Sequence, residues 1–174
     1  MRRAVALRSR RPVMAATRAD QEGWSRALDP GFCRLLTGSH LRLVGSPLLP
    51  PEWSDARAAY WLYEADSLCV LAHDGGVDPF FIYANKAAQA CFEYDWGELT
   101  LLRSRLSAEA PAREEREGLL AEVGRRGFVT DYRGLRVAKS GRRFWIERVT
   151  IWELIDEQGR RHGQAAAFRE WRDA

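Results

Sequence analysis

After Gly127 the apolar residues of this chain stop recurring at helical spacing and begin to alternate, and that change limits the fold more than any other feature. Alternation predicts strands over residues 128–138, 142–155 and 161–171, joined by Lys139-Ser140-Gly141 and Asp156-Glu157-Gln158-Gly159. Both joints hold a turn glycine, so the three strands are expected as an antiparallel meander. On the central strand Phe144, Ile146, Thr150, Trp152 and Leu154 are expected on one face, with Arg148 interrupting, and Arg143, Trp145, Glu147, Val149, Ile151 and Glu153 on the other. One mostly apolar and one mixed face suit a sheet packed on one side by helices.

Upstream, the apolar runs 67–73 and 80–84 flank Asp74-Gly75-Gly76 and read as a hairpin. Asn85 is placed to cap a short helix carrying Ala88, Cys91 and Phe92, and Asp95 with Glu98 resembles a capping box. Pro111 opens a clearer helix with Leu119, Leu120 and Val123 as its apolar stripe and Gly127 after its end. Ahead of these, residues 20–50 predict one or two short helices broken at Asp29-Pro30-Gly31. From Pro51 two apolar stripes, one through Trp53, Tyr60 and Tyr63 and one through Ala58, Trp61 and Leu62, predict a helix between two neighbours. The expected architecture is α+β: a five-stranded antiparallel sheet with short helices on one face and an N-terminal helical cap. Residues 1–19 are expected as a disordered Arg-rich leader, 20–65 as the cap and 66–172 as the core.

Charge removes one class of function. The chain carries a formal +3, but six of its 27 basic residues precede Asp20, the first of its 24 acidic ones. Residues 20–174 therefore hold 21 basic against 24 acidic side chains, and no nucleic acid is expected on the folded domain. No run nears the roughly 18 apolar residues of a membrane helix, and no apolar stretch follows Ser9-Arg10-Arg11 as an export signal requires. Cys33, Cys69 and Cys91 are odd in number and widely spaced, which points to buried thiols rather than a disulfide framework or zinc site. A cytoplasmic protein is expected.

The element order, with Tyr83-Ala84-Asn85-Lys86-Ala87-Ala88 and Lys139-Ser140-Gly141-Arg142, resembles the PAS domain, a small sensory and interaction module. The blocks His73-Asp74, Asp78-Pro79-Phe80-Phe81-Ile82-Tyr83-Ala84-Asn85, Ser104-Arg105-Leu106-Ser107-Ala108-Glu109, Gly127-Phe128-Val129-Thr130-Asp131-Tyr132 and Ser140-Gly141-Arg142-Arg143-Phe144 are similar, more closely, to the MEKHLA domain. That PAS-related family occurs in stand-alone bacterial proteins and at the end of plant class III homeodomain leucine-zipper factors. The likeness runs from about Trp53 to Trp171 and implies a bacterial stand-alone type; the plant members imply control of dimerisation. PAS relatives that bind haem supply a histidine from the helical middle, and residues 85–126 contain none. Photoactive flavin relatives use an Asn-Cys-Arg block that Gln89-Ala90-Cys91-Phe92 does not match. A non-covalent flavin or another small molecule stays open as cofactor.

A ligand pocket between helices and sheet is expected to draw on Gln164, which shares a strand face with Ala166 and Phe168, and on Asn85, Arg105, Phe144 and Trp152. Arg103 and Arg105 have the chemistry to clamp a carboxylate, or to pair with Glu109 or Glu114, which is the favoured reading. Tyr132, Gly134 and Arg136 are taken as part of a solvated outer ladder. Trp61, Trp145, Ile151 and Trp171 are interface candidates, since aromatic residues on an open sheet face mark contacts. His73 and Asp74 point to opposite faces of a strand and are read as a strand end and a turn cap. No metal is expected, because His40, His73 and His162 lie far apart. The expected function is a non-enzymatic sensory or regulatory module with a small ligand in its core, acting as a homodimer or through a separate signalling protein. The alternatives are a small enzyme using His73, Asp131 or Glu147, and a purely structural dimerisation domain.

Overall fold

A computed structural model describes residues 26–53 and 55–174. The Arg-rich leader lies outside the described residues, as does the start of the helical cap. Helix α1, Pro30–Val44, begins where Asp29 accepts hydrogen bonds from the Gly31 (2.9 Å) and Phe32 (3.2 Å) amides, with Pro30 in the first turn, and ends at Gly45 with φ 83°. The Asp-Pro-Gly triplet marks the expected break, with Arg26 and Ala27 helical before it and α1 starting at Pro30. Helix α2 follows as Asp55–Glu64.

Strands β1 (Cys69–His73) and β2 (Phe81–Ala84) pair antiparallel, and β1 also pairs with β5 (Arg161–Phe168). Between β2 and β3 come α3 (Lys86–Phe92), α4 (Trp96–Leu99) with its Asp95/Glu98 capping box, a 3₁₀ turn (Ser104–Ser107) and α5 (Ala110–Arg126). The sheet closes with β3 (Phe128–Val137) and β4 (Arg143–Ile155), giving the order β2-β1-β5-β4-β3. A sixth strand, β6 (Glu170–Asp173), continues past β5 along the first half of β4.

The central strand does not alternate through its length. Arg148 on β4 has φ 49° and Asp131 on β3 has φ 58°, and the β3–β4 register shifts between Val129 and Tyr132 and again between Tyr132 and Gly134. The two bulges cancel in register, but the one at Arg148 turns every later residue of β4 to the opposite face. Phe144 and Ile146 therefore share the inner face with Val149 and Ile151, while Trp152 and Leu154 look outward. The expected grouping of Trp152 with Phe144, and of Ile151 with Trp145, is overturned by this one extra residue.

Two apolar layers result. The inner face packs under α3, α4 and α5 around Phe92, Phe144, Ile146 and Phe168. The outer face over β4 and β5 is covered by α1, whose Leu36 is fully buried against the layer that contains Trp152, and whose Leu36 carbonyl accepts from Trp152 Nε1 at 3.2 Å. Each such side chain is worth about 1.5–3 kcal/mol of burial. The N-terminal helices are thus part of the fold, and among the described residues no helix is long and apolar enough to cross a membrane.

Candidate functional site

Three strands place one polar row across the inner face. Gln164 on β5 stands opposite His73 on β1 and Glu153 on β4. The next inner row is Leu71, Ala166 and Ile151, and the small Ala166 at its centre leaves a hollow beneath α5. That hollow is a cavity of about 60 Å³, walled by apolar side chains and by His73, Ser107, Arg116, Arg136 and Gln164.

The polar atoms in it have defined roles. Gln164 Nε2 donates to the Leu120 carbonyl (3.0 Å) and to Glu153 Oε1 (2.7 Å); both partners are acceptors, which fixes the amide and leaves Oε1 unpartnered. His73 Nδ1 lies 2.7 Å from the Asp74 carbonyl oxygen, so Nδ1 carries the proton and the buried Nε2 is a free acceptor. Burial, helped by the charge of Arg116, holds the His73 pKa below the usual imidazole range, so the ring is neutral at pH 7.

The cations are the unusual part. Arg116 on α5 is only 7% exposed and Arg136 on β3 only 6%. Arg136 donates to the Leu135 carbonyl (2.8 Å) and toward Tyr132 Oη (3.4 Å), and Gly134 leaves the room for this: a Cβ there would overlap Tyr132 Oη and come within 2.8 Å of Arg136 Nη1. Among the described residues no carboxylate lies within ion-pair distance of either guanidinium. Burial first, and Arg136 second, press the Arg116 pKa down to about 10, so it stays a cation at neutral pH. A wider cleft of about 450 Å³ shares His73, Arg116, Leu120 and Gln164 with the cavity and joins it to solvent.

The residues anticipated from the sequence fall in several places. Gln164 lines the cavity. Arg105 stands at the wider cleft, but its Nε is held by Asp78 Oδ1 at 3.0 Å, and Arg103 also pairs with Asp78 (3.5 Å); neither pairs with Glu109, which takes Arg143 instead. Asn85 is fully buried away from the cavity. Its Oδ1 accepts from the Val70 and Ala88 amides and its Nδ2 donates to the Leu62 and Leu68 carbonyls, so it ties α3 to β1 and α2. Phe144 is inner but packs edge-on against Phe92 at 5.1 Å, behind the cavity wall. Trp152 is on the far face of the sheet, sent there by the bulge at Arg148, and meets His40 at 4.8 Å.

Of the interface candidates, Ile151 is 5% exposed and lines the cavity, again because of the bulge. Trp145 stays on the outer face under the Arg133 guanidinium at 4.0 Å, Trp171 is 38% exposed, and Trp61 leans on Trp53 at 5.0 Å. Asp74 caps its turn by accepting from the Gly76 and Phe80 amides. Asp131 is exposed, and Glu147 is bound on the outer side by Arg133 (3.2 Å) and Arg172 (3.0 Å), so neither meets His73.

Arg116, Arg136 and Glu153 were not anticipated. Arg116 sits in the run Arg113-Glu114-Glu115-Arg116-Glu117, which reads as a solvated face. Arg136 did carry a signal: Gly134 beside it on the same strand face is a residue that makes room for large neighbours.

A flavin does not fit this arrangement. A dry cavity of roughly 150 Å³ takes one benzene ring, and about 60 Å³ is far too small for three fused rings. Cys91 is buried in the layer under α3, packed with Cys69 and Phe92.

The family model described as the MEKHLA domain matches residues 31–173, which extends the likeness upstream through α1. The crystal structure of the PAS domain of a protein from Colwellia psychrerythraea is similar at 17% identity and TM-score 0.56, covering 67% of this chain and 92% of that one. An RNA-binding light-oxygen-voltage receptor is similar at 19% identity and TM-score 0.54, over 74% of this chain but 35% of the receptor. A light-oxygen-voltage domain studied with a flavin analogue aligns at 17% identity and TM-score 0.52, over 71% of this chain and 86% of that domain. No curated protein matches. The fold is PAS-like, with an added sixth strand and an N-terminal helix.

Proposed function

The chain belongs to the MEKHLA domain family, and from that premise we propose that it is a non-enzymatic sensory or regulatory module that holds a small molecule beneath α5 and acts through self-association or a partner chain. The observation that carries this reading is the inner cavity, where five polar side chains, each at least nine-tenths buried, meet among apolar walls. Buried polar groups are satisfied in nearly all proteins, and a set left open around a hollow is what a binding site looks like before its ligand is added. Against an enzyme stands the scatter of the acid and base candidates: Asp131 and Glu147 lie at the surface, and the Ser107 hydroxyl that lines the cavity with His73 donates to the Ser104 carbonyl, while His73 Nε2 has no partner.

The outer face supplies the contact. Trp145 stands there under Arg133, with Glu147 binding Arg133 and Arg172 beside it, whereas Trp171 pairs with the inner-face Ile146 and packs against Phe168 at 6.1 Å. We expect no nucleic acid there, since residues 20–174 carry more acidic than basic side chains. Native mass spectrometry of the chain purified under mild conditions tests the ligand: a bound small molecule supports the reading, and its absence under all growth conditions favours a purely structural dimerisation domain. Light scattering tests the contact. Trp145→Ala or Trp61→Ala is expected to weaken self-association, and a wild-type monomer at high concentration would end that part.

A further inference from the structure

The charge balance of the cavity narrows what it can hold. Arg105 has Asp78, Gln164 Nε2 has Glu153, and Ser107 donates to the Ser104 carbonyl at 2.7 Å. Among the described residues Arg116 and Arg136 have no carboxylate within ion-pair distance, although they lie close enough for the charge of one to lower the pKa of the other. Two buried like charges with no counter-ion are costly. Water can hydrogen-bond to both guanidiniums and still leave that charge standing. A singly charged anion removes one of the two.

The remaining open atoms add a second requirement. His73 Nε2 and Gln164 Oε1 are acceptors without donors. A simple carboxylate or a halide accepts hydrogen bonds from the arginines and offers nothing to these two atoms. A molecule with both a negative charge and an O–H answers the arginines and one of these two acceptors. An ammonium-bearing acid offers donors too, but brings a positive charge against two arginines.

Size and lining supply the third limit. On a scale where a water needs about 10–15 Å³ and a benzene ring roughly 150 Å³, about 60 Å³ holds the carbon end of a short acid and no ring, and the rest of such an acid lies toward the wider cleft that shares His73, Arg116 and Gln164. Leu71, Phe81, Ile146, Val149 and Ile151 form an apolar wall, which suits an organic body better than a bare inorganic ion.

Resting on the reading that the cavity holds a small molecule, we propose that it is a site for a short aliphatic hydroxy acid. The carboxylate takes hydrogen bonds from the Arg116 and Arg136 guanidiniums, the hydroxyl donates to His73 Nε2 or Gln164 Oε1, and the carbon chain lies against Leu71, Ile146 and Ile151. Because Arg116 rides on α5 and Arg136 on β3, the ligand joins helix to sheet. Occupancy is thereby coupled to how firmly α5 is seated, which gives the module something to report.

Titration calorimetry on the full chain in low-chloride buffer tests this with glycolate, lactate and 2-hydroxybutyrate as probes, beside propionate, lactamide and chloride. The hydroxy acids are expected to bind, propionate to bind several-fold more weakly than lactate, and lactamide not at all. Arg116→Met and Arg136→Met, which keep much of the volume and remove the charge, are each expected to weaken lactate at least about tenfold, as loss of a charged hydrogen bond does. Circular dichroism reports whether each variant is folded, and the lactate–lactamide comparison on wild type stands if either is not. Lactamide binding as tightly as lactate, folded variants binding as wild type, or chloride matching the hydroxy acids would each overturn the proposal. Silence from every acid with a neutral molecule found in the native spectrum rejects the hydroxy acid and leaves the sensory module. Silence with no molecule found rejects both.

Discussion

Gly163 on β5 lies so close beneath the end of β1 that a Cβ on it would overlap the His73 carbonyl oxygen and sit 3.0 Å from Asp74 Cα. Its φ of 131° adds a backbone region that side chains rarely occupy. The contact fixes the strand end that presents His73 to the cavity. Gly163→Ala is expected to cost at least about 1–3 kcal/mol, the usual range for overpacking, read as a lower urea midpoint. A variant as stable as wild type would show that β1 and β5 are not this close.

What the sequence made legible is what is encoded locally. Turn glycines, the Asp95/Glu98 capping box and the cap at Asn85 each depend on residues a few positions apart, and each was found where the spacing placed it. The bulge at Arg148 is matched by Asp131 across the ladder, and although Arg148 interrupts the apolar face of β4, that interruption does not by itself say that the alternation slips by one residue there. That slip misplaced Trp152 and Ile151. The cavity suffered for a different reason: Arg116 and Arg136 are 20 positions apart by their numbers and belong to a charged helix and an apparently solvated strand. Only packing α5 on β3 buries them together.

The outer layer gives a second prediction. Trp152 is fully buried between the sheet and α1, with its indole N–H held by the Leu36 carbonyl. Trp152→Ala removes a fully buried tryptophan of that layer and one of the hydrogen bonds to the Leu36 carbonyl, so a loss of about 3–5 kcal/mol is expected by denaturant titration. Trp152→Phe separates the terms, keeping most of the volume and losing the hydrogen bond for about 1 kcal/mol of it. Equal effects of the two would mean that α1 is not packed there.

The thiols are expected to be inert in the folded chain. Cys33, Cys69 and Cys91 are all buried. Burial, with Asp55 adding, pushes the Cys33 thiol up to about 11, and the hydrogen bond with Cys91 followed by burial raises Cys69 well above the usual thiol range. A thiolate is the reactive species, so a disulfide reagent at pH 8 should titrate none of the three natively and all three in denaturant. Prompt native labelling of one would mark an opening of its layer.

Acid should weaken the fold in two separate windows. His40 and His73 are both held below the usual imidazole range, chiefly by burial, with the Ser46 carbonyl opposing at His40 and the Asp74 carbonyl opposing and Arg116 assisting at His73. A lowered folded pKa means that the unfolded chain takes up the proton first. Their stabilisation is complete above about 6.5, the unfolded value, and is lost as pH falls toward the folded one, by up to about 1.4 kcal/mol per histidine per pH unit. Glu93, held down to about 2 by Arg142 and Ser140, and Asp156, lowered by His162, Arg160 and Gln158, give up theirs only below the ordinary carboxylate range. Urea midpoints between pH 7.5 and 5.5 therefore isolate the histidines. The slope should be positive and should shrink in His73→Gln; a slope that this variant leaves unchanged would show that His73 charges as readily folded as unfolded.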